Sequence, residues 1–230
     1  MPDNGFMMRI LALVIALAGV AVAPQEWRRT FDVRKGTLVA TGASRFFILD
    51  PGYQLVLEEG SERLVITVLD ETKVVDGVTT RVVEERETKG GALVEISRNF
   101  FARDPATGDV YYFGEDVDIY KDGKVTSHEG AWQSGANGAT FGLMVPGAPT
   151  AGARYYQEVA PKIAMDRAEI VSTNMSVRVP AGAFTGCVRV KETTPLEPGV
   201  TEYKLYAPGI GLVQDADLKL VRYGKHISAR

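Results

Sequence analysis

Hydrophobic and polar residues alternate with a period of two along much of this chain. In the segment Leu93–Phe101, the apolar residues Val94, Ile96 and Phe100 fall on one face and mainly polar residues fall on the other. Because successive side chains of a β-strand point to opposite faces, this pattern predicts a strand with one buried face and one wet face.

Similar segments, rich in Val, Ile, Tyr, Phe and Thr, recur between turn signals. They comprise Tyr53–Glu58, Leu64–Val75, Thr79–Glu87, Leu93–Phe101, Val110–Phe113, Val177–Val179, Val188–Thr194 and Tyr203–Tyr206. Asp-Gly and Gly-Gly pairs at 76–77, 90–91 and 122–123 supply the positive φ angles that tight hairpins require. We therefore predict an all-β fold, in which an antiparallel meander forms a curved sheet or an incomplete β-barrel.

The segment Gly130–Gly152 departs from this pattern, since it contains six glycines and two prolines. One interpretation is a functional or mobile loop, because long loops inside compact domains usually have such roles. The other is a pair of glycine-kinked strands that bends around a corner of the barrel. The sequence leaves both interpretations open.

The first residues have the layout of a secretory signal peptide. Arg9 precedes an uncharged, apolar run of 14 residues from Ile10 to Ala23, with small residues near its end. This run is shorter than the roughly 20 residues that span a bilayer, and a short membrane anchor is the alternative. We predict a signal peptide at 1–21, an N-terminal linker at 22–36 and a single β-rich domain at 37–230. The protein would then be exported to the periplasm or beyond, and would contact a membrane only through the segment that is cleaved.

The composition limits which partners the protein can bind and whether a disulfide can stabilise its fold. The formal net charge of −3 is unchanged by removal of residues 1–21, which takes away one acid and one base, and this balance argues against a nucleic-acid partner. Cys187 is the only cysteine, so the chain cannot form an internal disulfide. We expect Cys187 to be a small buried hydrophobic residue rather than a nucleophile.

Motifs of common enzyme classes do not occur in the sequence. The chain has no G-x-S-x-G nucleophile elbow, no P-loop and no H-E-x-x-H, and its only histidines are His128 and His226. A catalytic triad stays open, because its members need not be neighbours in sequence. The sequence therefore indicates no organic cofactor and favours a non-catalytic role.

A run of acidic residues between two turns is the most distinctive chemical feature. The candidate metal ligands are Asp104, Asp109, Glu115, Asp116 and Asp118. Carboxylates are the hard oxygen ligands that Ca²⁺ prefers, although their spacing is not that of an EF-hand. Asp116 and Asp118 would share one face of a strand, where like charges repel unless they are solvated or bridged by a cation. The alternatives are a Ca²⁺ site and a solvated hairpin edge.

A second acidic set consists of Glu158, Asp166 and Glu169. A carboxylate-based glycosidase would need two such groups facing each other across a cleft, for example Glu158 opposite Glu115 or Asp116. The sequence does not show whether these residues meet.

Aromatic residues supply the candidate ligand-binding surface. The candidates are Tyr111, Phe113, Trp132, Tyr155, Tyr156 and Tyr203. In a curved sheet, such rings can line an apolar pocket with their polar atoms at its mouth. Alternatively, they fill the core. Alternation places Tyr111 and Phe113 on one face of a strand and Tyr112 on the other.

Several unusual blocks occur in one order: DVYYFGED from Asp109, RYYQE from Arg154, ETTPLEPGV from Glu192 and YAPGIGLV from Tyr206. Through these blocks the chain resembles a family of uncharacterised bacterial secreted proteins that are rich in β-structure. The resemblance implies export and a β-rich fold, and it carries no activity or active site.

Three hypotheses for the function follow. The first is an exported, non-catalytic protein that holds a lipid-like or other apolar small molecule in a curved sheet. The second is a carboxylate- or Ca²⁺-dependent enzyme of the cell envelope, which requires Glu115, Asp116, Glu158 and Asp166 to converge in one cleft. The third is an interaction or scaffold module of the envelope.

Overall fold

The computed structural model describes residues 26–225, so the predicted signal peptide lies outside the described residues. The described chain forms 15 β-strands and a short 3₁₀ turn at Lys35–Thr37. The strands are β1 (Tyr53–Glu59), β2 (Glu62–Val75), β3 (Val78–Lys89), β4 (Ala92–Arg103), β5 (Val110–Lys121), β6 (Lys124–Ser127), β7 (Trp132–Gln133), β8 (Thr140–Val145), β9 (Arg154–Tyr156), β10 (Glu158–Val159), β11 (Arg167–Val179), β12 (Gly182–Thr193), β13 (Glu202–Ala207), β14 (Gly211–Asp215) and β15 (Leu218–Lys225). Within residues 26–225, no helix is long and apolar enough to cross a bilayer.

The strands form one antiparallel sheet that curves into a nearly closed barrel with a single unsealed seam. Strands β1 to β5 make one meander and β11 to β15 make a second. Pairing of β1 with β15 joins the two meanders, because it brings the first and last strands together. The predicted all-β antiparallel meander is confirmed.

The seam lies where a single extended segment changes its partner. Strand β9 pairs with β11, and β10 follows one residue later and pairs with β8. Gly142 in β8 allows this close approach, since a Cβ atom there would collide with the backbone carbonyl of Gln157. The two edges of the sheet are therefore linked by a crossing segment rather than by a continuous ladder.

A β-bulge in β5 decides which of its side chains point into the barrel. Phe101 pairs with Tyr112 and Asn99 pairs with Glu115, so β5 advances three positions while β4 advances two. Gly114, with a φ of 137°, lies inside this bulge. The extra residue brings Tyr112 and Glu115 to the same face of the sheet, although strict alternation would place them on opposite faces.

The apolar core fills one part of the barrel and also covers part of its outer face. Its largest fully buried side chains include Phe46, Leu49, Leu57, Phe100, Phe113, Ile170 and Leu220. Cys187 is buried among them, as the sequence predicts. Since the described residues contain one cysteine and it is free, strand pairing and apolar burial hold the barrel together.

The described part of the predicted linker packs against the barrel. Arg28 forms an isolated parallel bridge with Tyr155. The Phe31 ring contacts the Tyr111 ring edge-on, with 5.9 Å between the ring centroids. Residues 26–34 therefore cover part of the outer face of the sheet.

The glycine-rich segment Gly130–Gly152 contains two strands, β7 and β8, both of which pair with β5. The strand interpretation of this segment therefore applies to residues 132–133 and 140–145. Turns and loops connect these short strands.

Candidate functional site

The barrel encloses a cavity of about 340 Å³, which we term the acidic cavity. Seven of its lining residues are acidic and one is basic. They are Glu85, Glu87, Glu95, Glu115, Glu158, Asp166 and Glu192, together with Lys204. The uncharged part of the wall consists of Ser97, Asn99, Phe101, Tyr112, Met144 and Gln157. This volume is within the usual range of small-molecule sites.

Strand alternation brings most of these side chains to the inner face. Glu85 and Glu87 are two residues apart on β3, and Glu95, Ser97 and Asn99 have the same spacing on β4. The face of β4 that the sequence predicts to be wet is thus the face that lines the cavity.

Lys204 on β13 is compensated by carboxylates that surround it. It forms salt bridges of 3.1 Å with Glu192 and 3.5 Å with Asp215. Gln157 donates a hydrogen bond of 2.8 Å to the second carboxylate oxygen of Glu192. The other six acidic residues of the cavity form no salt bridge with any residue in the range 26–225.

Glu158 on β10 is almost completely buried, with 6% of the residue exposed. Its Oε2 atom has no hydrogen-bond partner among the described residues, and neither has the buried indole Nε1 of Trp132. Burial, and then the charges of Asp166 and Glu115, raise the pKa of Glu158 well above its ordinary value, while a hydrogen-bond interaction with the Trp132 indole, outside the geometry of a full hydrogen bond, lowers it to a smaller extent. A buried polar atom without a full hydrogen bond is unfavourable. Oε2 is therefore an unsatisfied acceptor on a residue that lines the acidic cavity.

The barrel also shifts the pKa values of the other carboxyl groups in the cavity. Burial raises the pKa of Glu85 to about 8 and that of Glu115 to about 7. Burial, followed by the negative charge of Glu192, raises the pKa of Asp166. The cause is common to all three groups, since an enclosed carboxylate loses hydration and is destabilised by neighbouring negative charges. Near neutral pH, the cavity therefore contains both protonated and ionised carboxyl groups.

The acidic cavity continues inward into a smaller apolar pocket of about 50 Å³. The residues shared by the two are Glu85, Phe101, Met144 and Lys204. The remaining wall of the pocket is formed mainly by apolar and aromatic residues, which include Phe47, Tyr53, Leu55, Ile66, Val68, Tyr206 and Leu212. A pocket of this volume has room for only a small apolar group.

Toward solvent, the acidic cavity joins an outer cavity of about 350 Å³. The residues shared by these two are Glu115, Glu158, Asp166 and Glu192. The wall of the outer cavity includes Ile163, Leu196 and Val200, whose exposed fractions are 44%, 43% and 47%. We term these three residues the apolar rim. Glu197 and Glu202 line the same outer cavity, so exposed apolar and acidic side chains together form its wall.

The six aromatic residues predicted to bind a ligand do not line these three cavities. Tyr111 and Phe113 point away from the acidic cavity, where their rings contact Phe141 at centroid distances of 5.8 and 4.9 Å. Tyr112, on the other face, lines the cavity and donates a hydrogen bond of 2.5 Å to Asn99. The predicted alternation is therefore correct, and the inward-facing ring is Tyr112.

The other predicted aromatic residues occupy three different environments. Trp132 and Tyr155 are buried, and the Tyr155 hydroxyl has no hydrogen-bond partner among the described residues. Tyr156 packs edge-on against Trp27 on the flank of the barrel. Tyr203 is 37% exposed, and the Arg189 guanidinium lies 4.0 Å from its ring centroid. Trp132 lies beside the carboxyl group of Glu158, which lines the acidic cavity.

The five predicted metal ligands are dispersed. Asp104 accepts a hydrogen bond from the amide of Ala106, which is the arrangement of an Asx turn. Asp109 accepts hydrogen bonds from the Tyr111 hydroxyl and the Gly147 amide. Glu115 faces the acidic cavity. Within residues 26–225, no group of three or more His, Cys, Asp or Glu side chains is arranged to hold a metal ion.

Asp116 and Asp118 lie on the outer face of β5, where basic side chains neutralise them. Asp116 forms a salt bridge of 2.7 Å with Lys73, and Asp118 forms one of 3.2 Å with Arg98. His128 also contacts Asp118 at 3.0 Å, whereas His226 lies outside the described residues. Basic neighbours, rather than solvent alone, thus relieve the repulsion that the sequence suggests.

Sequence reasoning missed the carboxylates of β3 and β4, because it assigned them to a face in contact with bulk water. Glu87 and Glu95 are directly opposite each other on adjacent strands, where like charges are unfavourable. This pairing depends on the register of the two strands, which the sequence does not show.

Comparison of the chain with protein-family models, with curated proteins and with solved structures finds no match.

Proposed function

We propose that the protein binds a small molecule inside its barrel and releases it unchanged. The observation that carries this proposal is the set of three adjoining cavities, of which the acidic and outer cavities measure about 340 and 350 Å³ and share four lining residues. Protein interiors are normally close-packed and contain few voids larger than a water molecule. Cavities of this volume with converging polar groups are typical of ligand sites.

The wall composition limits the kind of ligand. The apolar pocket of about 50 Å³ is too small for a lipid chain, so the purely lipid-like ligand suggested by the sequence fits this geometry poorly. The larger space is lined by carboxyl groups, two hydroxyls, two amides and the ammonium group of Lys204. We therefore propose a ligand that places polar atoms in the acidic cavity and a longer apolar part toward the apolar rim.

Filling the acidic cavity tests this proposal. Ser97 is buried and lines the cavity, so Ser97→Phe would occupy the space meant for the ligand. In a thermal-shift screen of amines, acids, sugars and lipids, we expect compounds that stabilise the wild-type protein to lose this effect in Ser97→Phe. Ser176→Phe is the matched control, because Ser176 is exposed on β11, and it should retain the effect.

Two results would contradict the binding proposal. One is that no compound of the screen raises the Tm of the wild-type protein, since a ligand that binds only the folded state must stabilise it. The other is that every stabilising compound acts equally on Ser97→Phe.

A second candidate function is carboxylate catalysis. Glu115, Glu158 and Asp166 line one cavity, whereas Asp116 lies outside and pairs with Lys73. A carboxyl group with a raised pKa, such as Glu158, is suited to act as a general acid beside an ionised partner. Turnover of chromogenic glycosides that is lost in Glu158→Gln would favour this candidate over simple binding.

We further propose that the protein works after export from the cytoplasm. The order of basic, apolar and small residues within 1–23 supports this proposal.

A further inference from the structure

We propose that the ligand is an organic cation with an apolar chain, whose ammonium group lies beside Glu158 and whose chain extends to the apolar rim. This inference rests on the binding function proposed above and specifies the chemical class of the ligand.

The charge of the acidic cavity favours a cation. Seven acidic side chains line the cavity, and its only base, Lys204, already contacts Glu192 and Asp215. Clustered carboxylates attract cations and repel anions, and a cation that enters displaces the protons that these groups otherwise hold. A bound carboxylate or phosphate would find no free base among the cavity residues.

Glu158 supplies an independent indication of where the cation lies. More than nine-tenths of this residue is buried, and its Oε2 atom has no hydrogen-bond partner among residues 26–225. Glu158 lines both the acidic and the outer cavity, so part of its side chain borders the path to solvent, while Oε2 itself is fully buried. An ammonium N–H both donates the missing hydrogen bond and compensates the charge, and hydrogen bonds between charged groups are stronger than neutral ones.

Protons compete with the cation for the same groups. Burial raises the pKa values of Glu158, Glu115 and Glu85, so these groups take up protons when no cation is bound. The other titratable groups that face or adjoin this space are Tyr53, Glu87, Glu95, Tyr112, Asp166, Glu192, Glu197, Glu202, Lys204, Tyr206 and Asp215. Entry of a cation should therefore release protons from the cavity near neutral pH.

The apolar rim indicates that the cation carries an apolar chain. Ile163, Leu196 and Val200 are exposed and belong to the wall of the same outer cavity that contains Glu158. A cluster of exposed apolar side chains beside a polar site is typical of a surface that a ligand covers. A small hydrophilic cation would leave this cluster in contact with water.

The test compares probes that share a chain and differ in head group. Isothermal titration calorimetry of the full domain measures the binding of octylammonium, octanol and octanoate at pH 7. We expect octylammonium to bind about tenfold or more tightly than the other two, since a hydrogen bond to a charged group contributes on this order. Methylammonium should bind more weakly than octylammonium. The heat of octylammonium binding should depend on the ionisation enthalpy of the buffer in the sense of proton release.

Glu158→Gln tests the position of the ammonium group with little change of shape. This variant should weaken octylammonium binding about tenfold or more and leave octanol binding unchanged. Glu129→Gln, which removes the same charge from an exposed position, should bind octylammonium as the wild-type protein does. If Glu158→Gln does not fold, as judged by circular dichroism, Asp166→Asn takes its place.

Each outcome separates this inference from the proposed function. Octanol or octanoate binding as tightly as octylammonium, with loss in Ser97→Phe, would overturn the cationic ligand and leave the binding function in place. Octylammonium binding that is equal in the wild-type protein, Ser97→Phe and Glu158→Gln would overturn the inference, because the probe would then bind elsewhere. Failure of all three probes to bind also overturns it, and the compound screen then decides the binding function separately.

Discussion

Among single residues, Glu85 shows the effect of the barrel most clearly: its side chain is surrounded by strands and is still reached by solvent. Its side chain is half-buried because it borders the acidic cavity, yet burial raises its pKa to about 8. A carboxylate on the outer surface is surrounded by bulk water, whereas a carboxylate inside the barrel is surrounded by strands and other carboxyl groups. The ionised form is therefore disfavoured even where solvent reaches the group.

Replacing Glu85 by glutamine should stabilise the protein at alkaline pH. At pH 8 the wild-type protein ionises a group that the fold disfavours, and Glu85→Gln removes this cost. We expect the Tm of Glu85→Gln to exceed that of the wild-type protein by about 3 °C or more at pH 8, and the difference to shrink at pH 5 and vanish below the ordinary pKa of 4.5, where the carboxyl group is protonated in both the folded and the unfolded state.

The matched control for this substitution is Glu84→Gln. Glu84 is the neighbouring residue on the other face of β3 and pairs with Arg98 at 3.4 Å. Its replacement should leave the Tm unchanged or slightly lower at both pH values, since an exposed pair contributes about 1 kcal/mol or less. A Glu85→Gln variant that is less stable than the wild-type protein at pH 8 would show that the Glu85 carboxylate makes a favourable contact instead.

At the scale of the element, the bulge in β5 determines the chemistry of the cavity. It turns Glu115 inward and leaves Asp116 and Asp118 on the outer face, where Lys73 and Arg98 pair with them. Without the extra residue, strict alternation would exchange these faces. The sequence left a Ca²⁺ site and a solvated hairpin edge as alternatives, and the bulge puts Glu115 on the opposite face of β5 from Asp116 and Asp118.

Gly114→Ala should disrupt this bulge. A Cβ atom at Gly114 would collide with the carbonyl oxygen of Trp132, and the φ of 137° is itself unfavourable for alanine. We expect a loss of about 2 kcal/mol or more in the free energy of unfolding, measured by urea titration.

Gly138→Ala is the control for the backbone angle alone. Gly138 also has a positive φ, of 79°, but a Cβ atom there would meet no heavy atom within 4 Å. Its replacement should cost about 1 kcal/mol. Equal losses in the two variants would indicate that the contact with Trp132 does not constrain β5.

The strands could be predicted from sequence because their signals are local. Alternation in Leu93–Phe101 and turn pairs such as Asp76-Gly77 depend on neighbouring residues, and both occur where the sequence indicates, in β4 and in the turn between β2 and β3. The bulge at Gly114 and the crossing at Gly142 could not be predicted, since each depends on a backbone contact with a residue distant in sequence.

At the scale of the molecule, the nearly closed barrel explains why the candidate site differs from the one that the sequence suggests. In an open curved sheet, the polar face of β4 would contact bulk water and its aromatic neighbours would form the pocket. Curvature of the joined meanders into a nearly closed barrel puts the polar face inside and leaves Tyr111 and Phe113 on the outer face. Which face becomes the interior is a property of the whole sheet, so no local pattern reveals it.

The barrel contains carboxyl groups whose ionisation opposes folding. Between their ordinary pKa of about 4.5 and their raised values, the folded protein binds more protons than the unfolded chain, so stability must fall as the pH rises. The carboxyl group of Asp76 has a lowered pKa, so it changes the stability only below its ordinary pKa of 3.8, outside this pH range.

The most direct test is the Tm of the ligand-free protein as a function of pH at constant ionic strength. We predict a decrease of about 5 °C or more between pH 5 and pH 8, since 1 kcal/mol shifts the Tm of a domain of this size by about 2–4 °C. A Tm that stays constant or rises over this interval would contradict the account, because the carboxyl groups would then ionise as freely in the folded protein as in the unfolded chain.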